Sequence, residues 1–493
     1  MTQDRRRNEG LFVKNISWAF CISSLALFVA CSGSNRKSGG EGAVGGSPRE
    51  TSIGSDGSPT ATPMIASTLA MDKSGGEESV SDSEPSPSPK PVRNPAKKSR
   101  RSKKSKRSRK KPKPRKAQPR PSSGLLTAGS WSDVDHFKVF RKFVLKLAQQ
   151  TLRAGQSEAM RTIPDRQLLV RLRGKDNQAL ENVEFRWKYK DGSISRQSYI
   201  TKTDGSISLN SAWDRLPEAG TAHAMIRASG QMQNHLVPVT IKNGQSDITV
   251  KCAKLKGKGV KQLDLCLVID CTGSMSDELK YLQEEIGTIA QDIKKRYANI
   301  KVRFSLVVYR DKGDQYVSKR FEFQDSLVRF EELLEDQEAA GGGDYPEAMD
   351  EALTDASLLN WNQEETARVC FLVADAPPHS TRESRVQFAL SKLRSQGVVV
   401  YPIAASGAKT QAELILRQAA FVTGGKYLFL TDDSGIGNSH AEPHIPEYDV
   451  EKLNKLMTRM IVSELAGEPI PARREDIVRS VRSRKKLEPV NEQ

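Results

Sequence analysis

Between residues 262 and 466, short apolar runs alternate with longer segments whose apolar residues recur every three or four positions. Residues 263–269 are apolar apart from Asp264, which is typical of a central parallel strand covered on both faces. Similar runs occur at 302–308, 368–374, 398–404 and 427–430, and helical segments separate them. This alternation predicts an α/β domain at 262–466 with a doubly wound, mostly parallel sheet.

Residues 161–256 follow the two-residue period of strands instead, with Asp-Gly or Asn-Gly pairs at 191–192, 204–205 and 243–244. Short strands separated by such turns predict a small β-sandwich, whose simplest role is that of a spacer or rigid stalk. The preceding segment, 131–160, places Phe137, Phe140, Val144 and Leu147 at helical spacing. We therefore expect one amphipathic helix there, packed on its neighbour rather than inserted in a membrane.

The N-terminal region lacks the residues needed for a core, because no Phe, Trp or Tyr occurs between 31 and 130. We expect a disordered tether over 31–130 and a polar tail over 467–493. Residues 90–120 carry 17 Lys and Arg and no acid, which equals the net charge of +17 of the whole chain. This basic tract is expected either to bind anionic lipids or envelope polymers or to act as a solvated spacer. Without aromatic side chains, it is not expected to recognise nucleic acid specifically.

The first 30 residues have the pattern of a signal peptide. Three arginines at 5–7 precede a mostly apolar run at 16–30, and Ala30 stands directly before Cys31. This pattern resembles that of bacterial lipoproteins and implies that Cys31 is lipidated. The chain would then be anchored outside the cytoplasm at the bacterial cell envelope, in the outer membrane if there is one. An ordinary secretory signal and an uncleaved anchor are the alternatives.

The candidate chemistry concentrates in the loop after the first strand of the α/β domain. Asp270, Thr272 and Ser274 provide three oxygen donors in one tight loop, and such donors suit a hard divalent cation. The segment 341–348, between two predicted helical stretches, and Asp375, directly after a predicted strand, follow later in the chain. Together the three loops resemble the metal-ion-dependent adhesion site of the von Willebrand factor A domain family, and the resemblance extends over residues 263–466.

The resemblance implies a set of metal ligands. Asp270, Thr272 and Ser274 match the first metal loop directly, and Asp375 matches a carboxylate that often acts through water. The middle loop of the family commonly offers a threonine where this chain has Gly343, so Asp344 or a water molecule is expected in its place. The implied ion is Mg²⁺, or Mn²⁺ or Ca²⁺, and it would capture a carboxylate of a protein or another acidic partner.

Further polar residues lie in loops that should gather at the same edge of the sheet. They are Asp311, Asp314, His379, Asp432, Asp433, His440 and His444. We expect them to form a rim around the metal, for which three roles stay open. The rim can hold a second cation such as Zn²⁺, it can be an ordered lid in which backbone N–H groups hold Asp432 and Asp433, or it has no special role.

Motifs of common enzymes are absent from the sequence, including a GxxxxGK[ST] phosphate loop, a GxSxG elbow and an HExxH pair. We therefore expect a protein without catalytic activity. One hypothesis is an anchored, extracytoplasmic binding protein that uses its metal to capture a partner. The other is a structural or sensing scaffold of a cell-envelope complex, in which the metal is incidental.

Overall fold

The computed structural model describes residues 122–152, 163–437 and 439–482. All of them belong to one compact unit, residues 108–493. The predicted signal peptide, Cys31 and the basic tract at 90–120 lie outside the described residues. No helix of the described ranges is long and apolar enough to cross a membrane.

The described chain begins with strand β1 (Thr127–Trp131) and helix α1 (Phe137–Leu152). The prediction that the tether extends to residue 130 is therefore wrong at its end. The short segment of β1 is buried because it pairs with two strands about 300 residues further along the chain, which no local pattern reveals. The helix has the expected character: Phe140 and Val144 pack against Leu414 and Phe421 in one apolar cluster.

The next domain is a β-sandwich, as predicted. One sheet has the order β5-β2-β8 and the other the order β4-β3-β6-β7. The seven strands are β2 (Gln167–Arg173), β3 (Val183–Lys188), β4 (Tyr199–Ile200), β5 (Ser206–Asn210), β6 (Gly220–Ala228), β7 (His235–Ile241) and β8 (Asp247–Lys251). Alternate side chains of both sheets meet in a shared core that includes Leu168, Phe185 and Trp187.

The remaining chain builds the α/β domain. Its strands are β9 (Gln262–Asp270), β10 (Lys301–Tyr309), β11 (Ser318–Gln324), β12 (Thr366–Ala374), β13 (Val399–Ala404), β14 (Tyr427–Leu430), β15 (Tyr448–Lys452) and β16 (Ile477–Val481). Its helices are α2 (Leu279–Arg296), α3 (Leu327–Glu335), α4 (Met349–Leu358), α5 (Glu383–Ser395), α6 (Thr410–Thr423) and α7 (Leu453–Ala466).

With β1, these strands form a nine-stranded sheet of order β11-β10-β9-β12-β13-β14-β1-β15-β16. Five neighbouring strands, from β10 through β9, β12 and β13 to β14, are parallel. The strands β11, β1, β15 and β16 pair antiparallel to their neighbours. Helices α2, α3 and α7 contribute to the core on one face of the sheet, and α4, α5 and α6 contribute to the core on the other. The fold is thus the predicted mixed α/β fold with a large, mostly parallel sheet.

The predicted polar tail at 467–493 also needs correction. Residues Ile477–Val481 form the edge strand β16, which pairs with β15. Only two of its five residues, Ile477 and Val481, are even partly buried, so the strand is held mainly by backbone pairing. The hydrophobic pattern therefore carries no signal for it.

Polar contacts join the sandwich to the α/β domain. Arg394 of α5 donates two hydrogen bonds of 2.7 and 2.8 Å to the buried carboxylate of Asp214. Lys202 donates to the carbonyl of Gly424 after α6 at 3.1 Å. These contacts lie where helices end, and the helices of a doubly wound fold end at the edge opposite the carboxyl ends of the parallel strands. The sandwich therefore leaves the predicted metal loops uncovered.

Candidate metal centre

The first metal loop begins where β9 ends, between its two parallel neighbours. The backbone N–H and the hydroxyl of Thr272 both donate to Oδ1 of Asp270, at 2.9 and 2.7 Å. The hydroxyls of Thr272 and Ser274 lie 3.1 Å apart. Asp270 and Thr272 are fully buried, whereas Ser274 is exposed. The three oxygen donors predicted from the sequence therefore lie together, and Ser274 opens toward solvent.

Asp375 follows β12 and joins this group. Its carboxylate accepts a hydrogen bond from Ser274, and its negative charge acts on Asp270. Burial raises the pKa of Asp375, although the hydrogen bond from Ser274 opposes the shift. Oδ2 of Asp270 and Oδ1 of Asp375 are buried and form no hydrogen bond of normal geometry among the described residues, although the buried hydroxyl of Tyr309 lies close enough to Asp270 to lower its pKa.

The middle loop contributes an acid that sequence reasoning missed. Glu347 lies beside the first metal loop: a Cβ atom built on Gly342 would be 3.0 Å from Oε1 of Glu347 and 3.3 Å from Cβ of Thr272. Glu347 is only 3% exposed, and its Oε2 also lacks a partner within the described ranges. Its backbone N–H donates to Pro377, in the loop that follows Asp375. Asp344 is exposed, and its role as a ligand stays a prediction.

Backbone geometry explains why the middle loop reaches the site through Glu347. Gly341 and Gly342 have positive φ angles of 77° and 71°, which side chains disfavour. A Cβ atom on Gly341 would lie 2.4 Å from the carboxylate of Asp314. Asp314 accepts hydrogen bonds from the backbone N–H groups of Gly342 and Asp311, at 2.8 and 3.0 Å. This turn passes over the metal loop and brings the buried end of the segment, rather than Asp344, inside.

The electrostatics of the site indicate crowded negative charge. Burial, followed by the charge of Asp375, raises the pKa of Asp270 to about 7. Burial and then the charges of Asp270, Asp311 and Asp375 raise the pKa of Glu347 to about 9. A bound cation would offset this charge and favour the ionised carboxylates.

The donor chemistry fits a hard divalent cation. Asp270, Asp375, Thr272 and Ser274 offer oxygens only, and unpartnered carboxylate oxygens are what a cation would satisfy. In the described part of the chain, no group of three or more His, Cys, Asp or Glu side chains is arranged to hold a metal. The candidate centre therefore depends on two hydroxyls as well as on carboxylates, which suits Mg²⁺ with some of its waters retained.

The histidines of the predicted rim pair with different carboxylates. Nε2 of His379 lies 2.7 Å from Oδ1 of Asp311. Nδ1 of His440 lies 2.8 Å from Oδ1 of Asp432, whereas Nδ1 of His444 lies 2.7 Å from Oε2 of Glu413. No group of three such side chains converges among the described residues, and the second cation stays a prediction.

The loop after β14 has some of the contacts that are expected for an ordered lid. The backbone N–H of His440 donates to Asp432 at 2.9 Å, as expected for a loop closed on its own backbone. Asp433 instead forms an ion pair with Arg479 of β16, with hydrogen bonds of 2.8 and 3.0 Å. The loop after β14 is thus held partly by itself and partly by a strand that the sequence pattern did not predict.

Comparisons with known proteins identify the class of domain. Residues 264–431 match the family model of the von Willebrand factor A domain. The chain is 30% identical over 122 residues to the alpha-protein kinase vwkA of Dictyostelium discoideum. This match covers 24% of this chain and 19% of the kinase. It is 27% identical over 186 residues to an ariadne-like RING finger protein of Acanthamoeba polyphaga mimivirus, covering 34% of this chain and 18% of that protein. The chain thus spans less than a fifth of the length of these two relatives.

A solved structure, that of protein BatB from Bacteroides thetaiotaomicron, is also similar. It is 13% identical, with a TM-score of 0.29, and the match covers 42% of this chain and 99% of BatB. The family match and the sheet topology agree with the resemblance seen in the sequence. The protein contains a von Willebrand factor A domain, which indicates a role in protein interaction or adhesion.

Proposed function

We propose that this protein binds a partner through a divalent cation held by its von Willebrand factor A domain. One observation carries the proposal: the buried acids Asp270, Asp375 and Glu347 each have a carboxylate oxygen that forms no hydrogen bond of normal geometry within the described structure. Their charges act on one another, and two hydroxyls complete the group. Ionised carboxylates are costly when they are buried close together, and a bound cation would compensate their charge.

Each residue has a distinct part in this proposal. Asp270, Thr272, Ser274 and Asp375 would hold the cation, and Glu347 would add charge beside it. The cation supplies an open coordination position for a carboxylate of the partner. Thr272 is oriented by its two hydrogen bonds to Asp270, and exposed Ser274 marks the side from which a partner approaches. No step of this mechanism breaks a covalent bond, so the proposed activity is binding without catalysis.

The location of the protein is a separate proposal that rests on the sequence. Lipidation at Cys31 would anchor the chain outside the cytoplasm, at the cell envelope, and the basic tract at 90–120 would contact anionic lipids or polymers there. The variant Cys31→Ala should release the protein from membranes or leave its precursor unprocessed. Unchanged membrane retention together with an unchanged mature mass would argue against the anchor.

Calorimetry on the full chain tests the metal site. Wild-type protein should bind one equivalent of Mg²⁺ or Mn²⁺, and Asp270→Ala should abolish binding. The matched control is Asp433→Ala, which removes an acid from the same region that pairs with Arg479 instead. Equal binding by wild type and Asp270→Ala, or none by wild type, would refute the site.

A pull-down from envelope extract, with and without chelator, then tests partner capture. A partner that is retained by wild type only in the presence of the cation, and is lost with Asp270→Ala, supports the proposed function. Retention that is indifferent to chelator and to Asp270→Ala would instead favour a scaffold in which the metal is incidental.

A further inference from the structure

A further buried carboxylate, that of Glu278, lies just after the first metal loop. It is fully buried at the start of α2 and follows the turn Gly273–Asp277 that carries Ser274. The backbone N–H of Ser406 donates to both of its oxygens, at 3.1 and 3.3 Å. Nε2 of His440 lies 2.9 Å from its Oε1. Glu278 therefore links the loops that follow β9, β13 and β14.

The ring of His440 is placed between two carboxylates. Its Nε2 faces Glu278, and its Nδ1 lies 2.8 Å from Oδ1 of Asp432. Only 6% of the His440 side chain is exposed. An ionised carboxylate only accepts hydrogen bonds, so both ring nitrogens must carry a proton for both contacts to form. The geometry thus favours an imidazolium that offsets part of the charge of Glu278.

Glu278 is not one of the proposed metal ligands, but its surroundings adjoin the candidate metal centre. The charge of Glu278 acts on Asp375. Ser406, which donates to Glu278, precedes Gly407, and a Cβ atom on Gly407 would lie 3.6 Å from Oδ2 of Asp375. A displacement of Glu278 would therefore disturb both the turn that presents Ser274 and the loop beside Asp375.

We propose that His440 is a positioning residue for the metal centre, acting through Glu278. The imidazolium holds Glu278 against Ser406 and so keeps the Ser274 turn and the Asp375 loop in the arrangement that accepts a cation. This inference rests on the proposed metal-binding function. It assigns to the loop after β14 a role that the family match, which ends at residue 431, does not include.

Titration of the full chain with Mn²⁺, followed by electron paramagnetic resonance, tests the role of His440. This measurement gives both the Kd and the line shape of the bound ion. His440→Ala should weaken Mn²⁺ binding by about 10–100-fold, the usual effect of removing a residue that orients metal ligands. His444→Ala is the matched control, because His444 faces Glu413 rather than Glu278, and its Kd should stay within about twofold of wild type.

A double-mutant cycle separates positioning from a general loss of stability. If His440 acts through Glu278, adding His440→Ala to Glu278→Gln should cause no further loss of Mn²⁺ affinity. His440→Gln keeps a donor toward Glu278 without the charge, so it should restore part of the affinity and the wild-type line shape. It also serves as the test variant if His440→Ala does not fold.

The outcomes distinguish this inference from the function on which it rests. If wild type binds Mn²⁺ and a folded His440 variant binds it equally well, the positioning role is refuted and the metal site stands. Additive losses in the cycle also refute action through Glu278. If wild type does not bind Mn²⁺ at all, the proposed function fails, and the role of His440 fails with it.

Discussion

The variant Glu347→Gln tests whether the buried acid of the middle loop, rather than Asp344, responds to the bound cation. Asp344 is the acid that the sequence pattern favoured. In the metal-free protein, the pKa of Glu347 is about 9 against an ordinary value of 4.5. The folded state therefore keeps a proton that the unfolded state releases above pH 4.5. This group consequently lowers stability as pH rises from about 4.5 to about 9, and has no such effect below 4.5.

The size of the effect follows from these values. A solution at pH 7 lies about 2.5 above the ordinary pKa of Glu347. Keeping the proton in the folded state therefore lowers the free energy of unfolding by about 3 kcal/mol. Gln at position 347 needs no proton, and its amide can donate to the unpartnered oxygens of the neighbouring carboxylates. We therefore expect Glu347→Gln to stabilise the metal-free protein at pH 7 by up to about 3 kcal/mol, with little gain at pH 4.

A bound cation should oppose this effect, since it favours the ionised carboxylate of Glu347 and stabilises the folded state by mass action. Thermal melts in chelator and in excess Mg²⁺, at pH 4 and pH 7, measure both effects. The stability advantage of Glu347→Gln should appear in chelator at pH 7 and shrink or reverse in Mg²⁺. Asp344→Asn, at an exposed position, is the control and should stay within about 0.5 kcal/mol of wild type in chelator.

Two results would refute this reasoning about the middle loop. One is a metal-free Glu347→Gln protein that is less stable than wild type at pH 7. The other is a loss of Mg²⁺ stabilisation in Asp344→Asn that is absent in Glu347→Gln, which would return the ligand role to Asp344.

Two further predictions concern stability. Arg417 and Asp133 are fully buried and paired by hydrogen bonds of 2.6 and 2.9 Å. Asp133→Ala should lower the free energy of unfolding by about 3–5 kcal/mol, because it leaves the guanidinium without this partner. An unchanged urea midpoint would contradict this prediction. Gly129 of β1 faces the ring of Phe429, where a Cβ atom would be 2.4 Å away, so Gly129→Ala should cost about 1–3 kcal/mol. Gly343→Ala, whose position has open space and no positive φ, controls for the added methyl group; equal losses in both variants would argue against the close packing of β1.

Much of the α/β domain could be predicted because its signals are local. The buried run that ends at Asp270 and the helical spacing that begins near Leu279 lie within one segment, and periodicity reports such elements directly. The group Asp270, Thr272 and Ser274 is equally local, since five residues in one turn hold all three donors. The sequence also allowed Asp375 to be assigned to this site, because parallel strands end at a common edge of the sheet.

Other features depend on contacts that no local pattern contains. The strand β1 is short and weakly apolar, and its place in the sheet comes from pairing with β14 and β15 about 300 residues away. The strand β16 buries only Ile477 and Val481, and those only in part, so its pairing with β15 is what makes it a strand. Both lie in segments whose composition alone indicated a tether and a tail.

The same limit applies to the candidate site. The sequence alone determined the type of domain and the first metal loop, because both are recognised from residues that are close together along the chain. Only the tertiary structure decided that Glu347 is the buried acid of the middle loop and acts on Asp270, since the turn through Gly341 and Gly342 selects which acid is buried. It also decided that His440 faces Glu278 across 162 positions of the chain. Side-chain chemistry can be identified along a chain, but which charges share a buried volume is set by how distant segments pack.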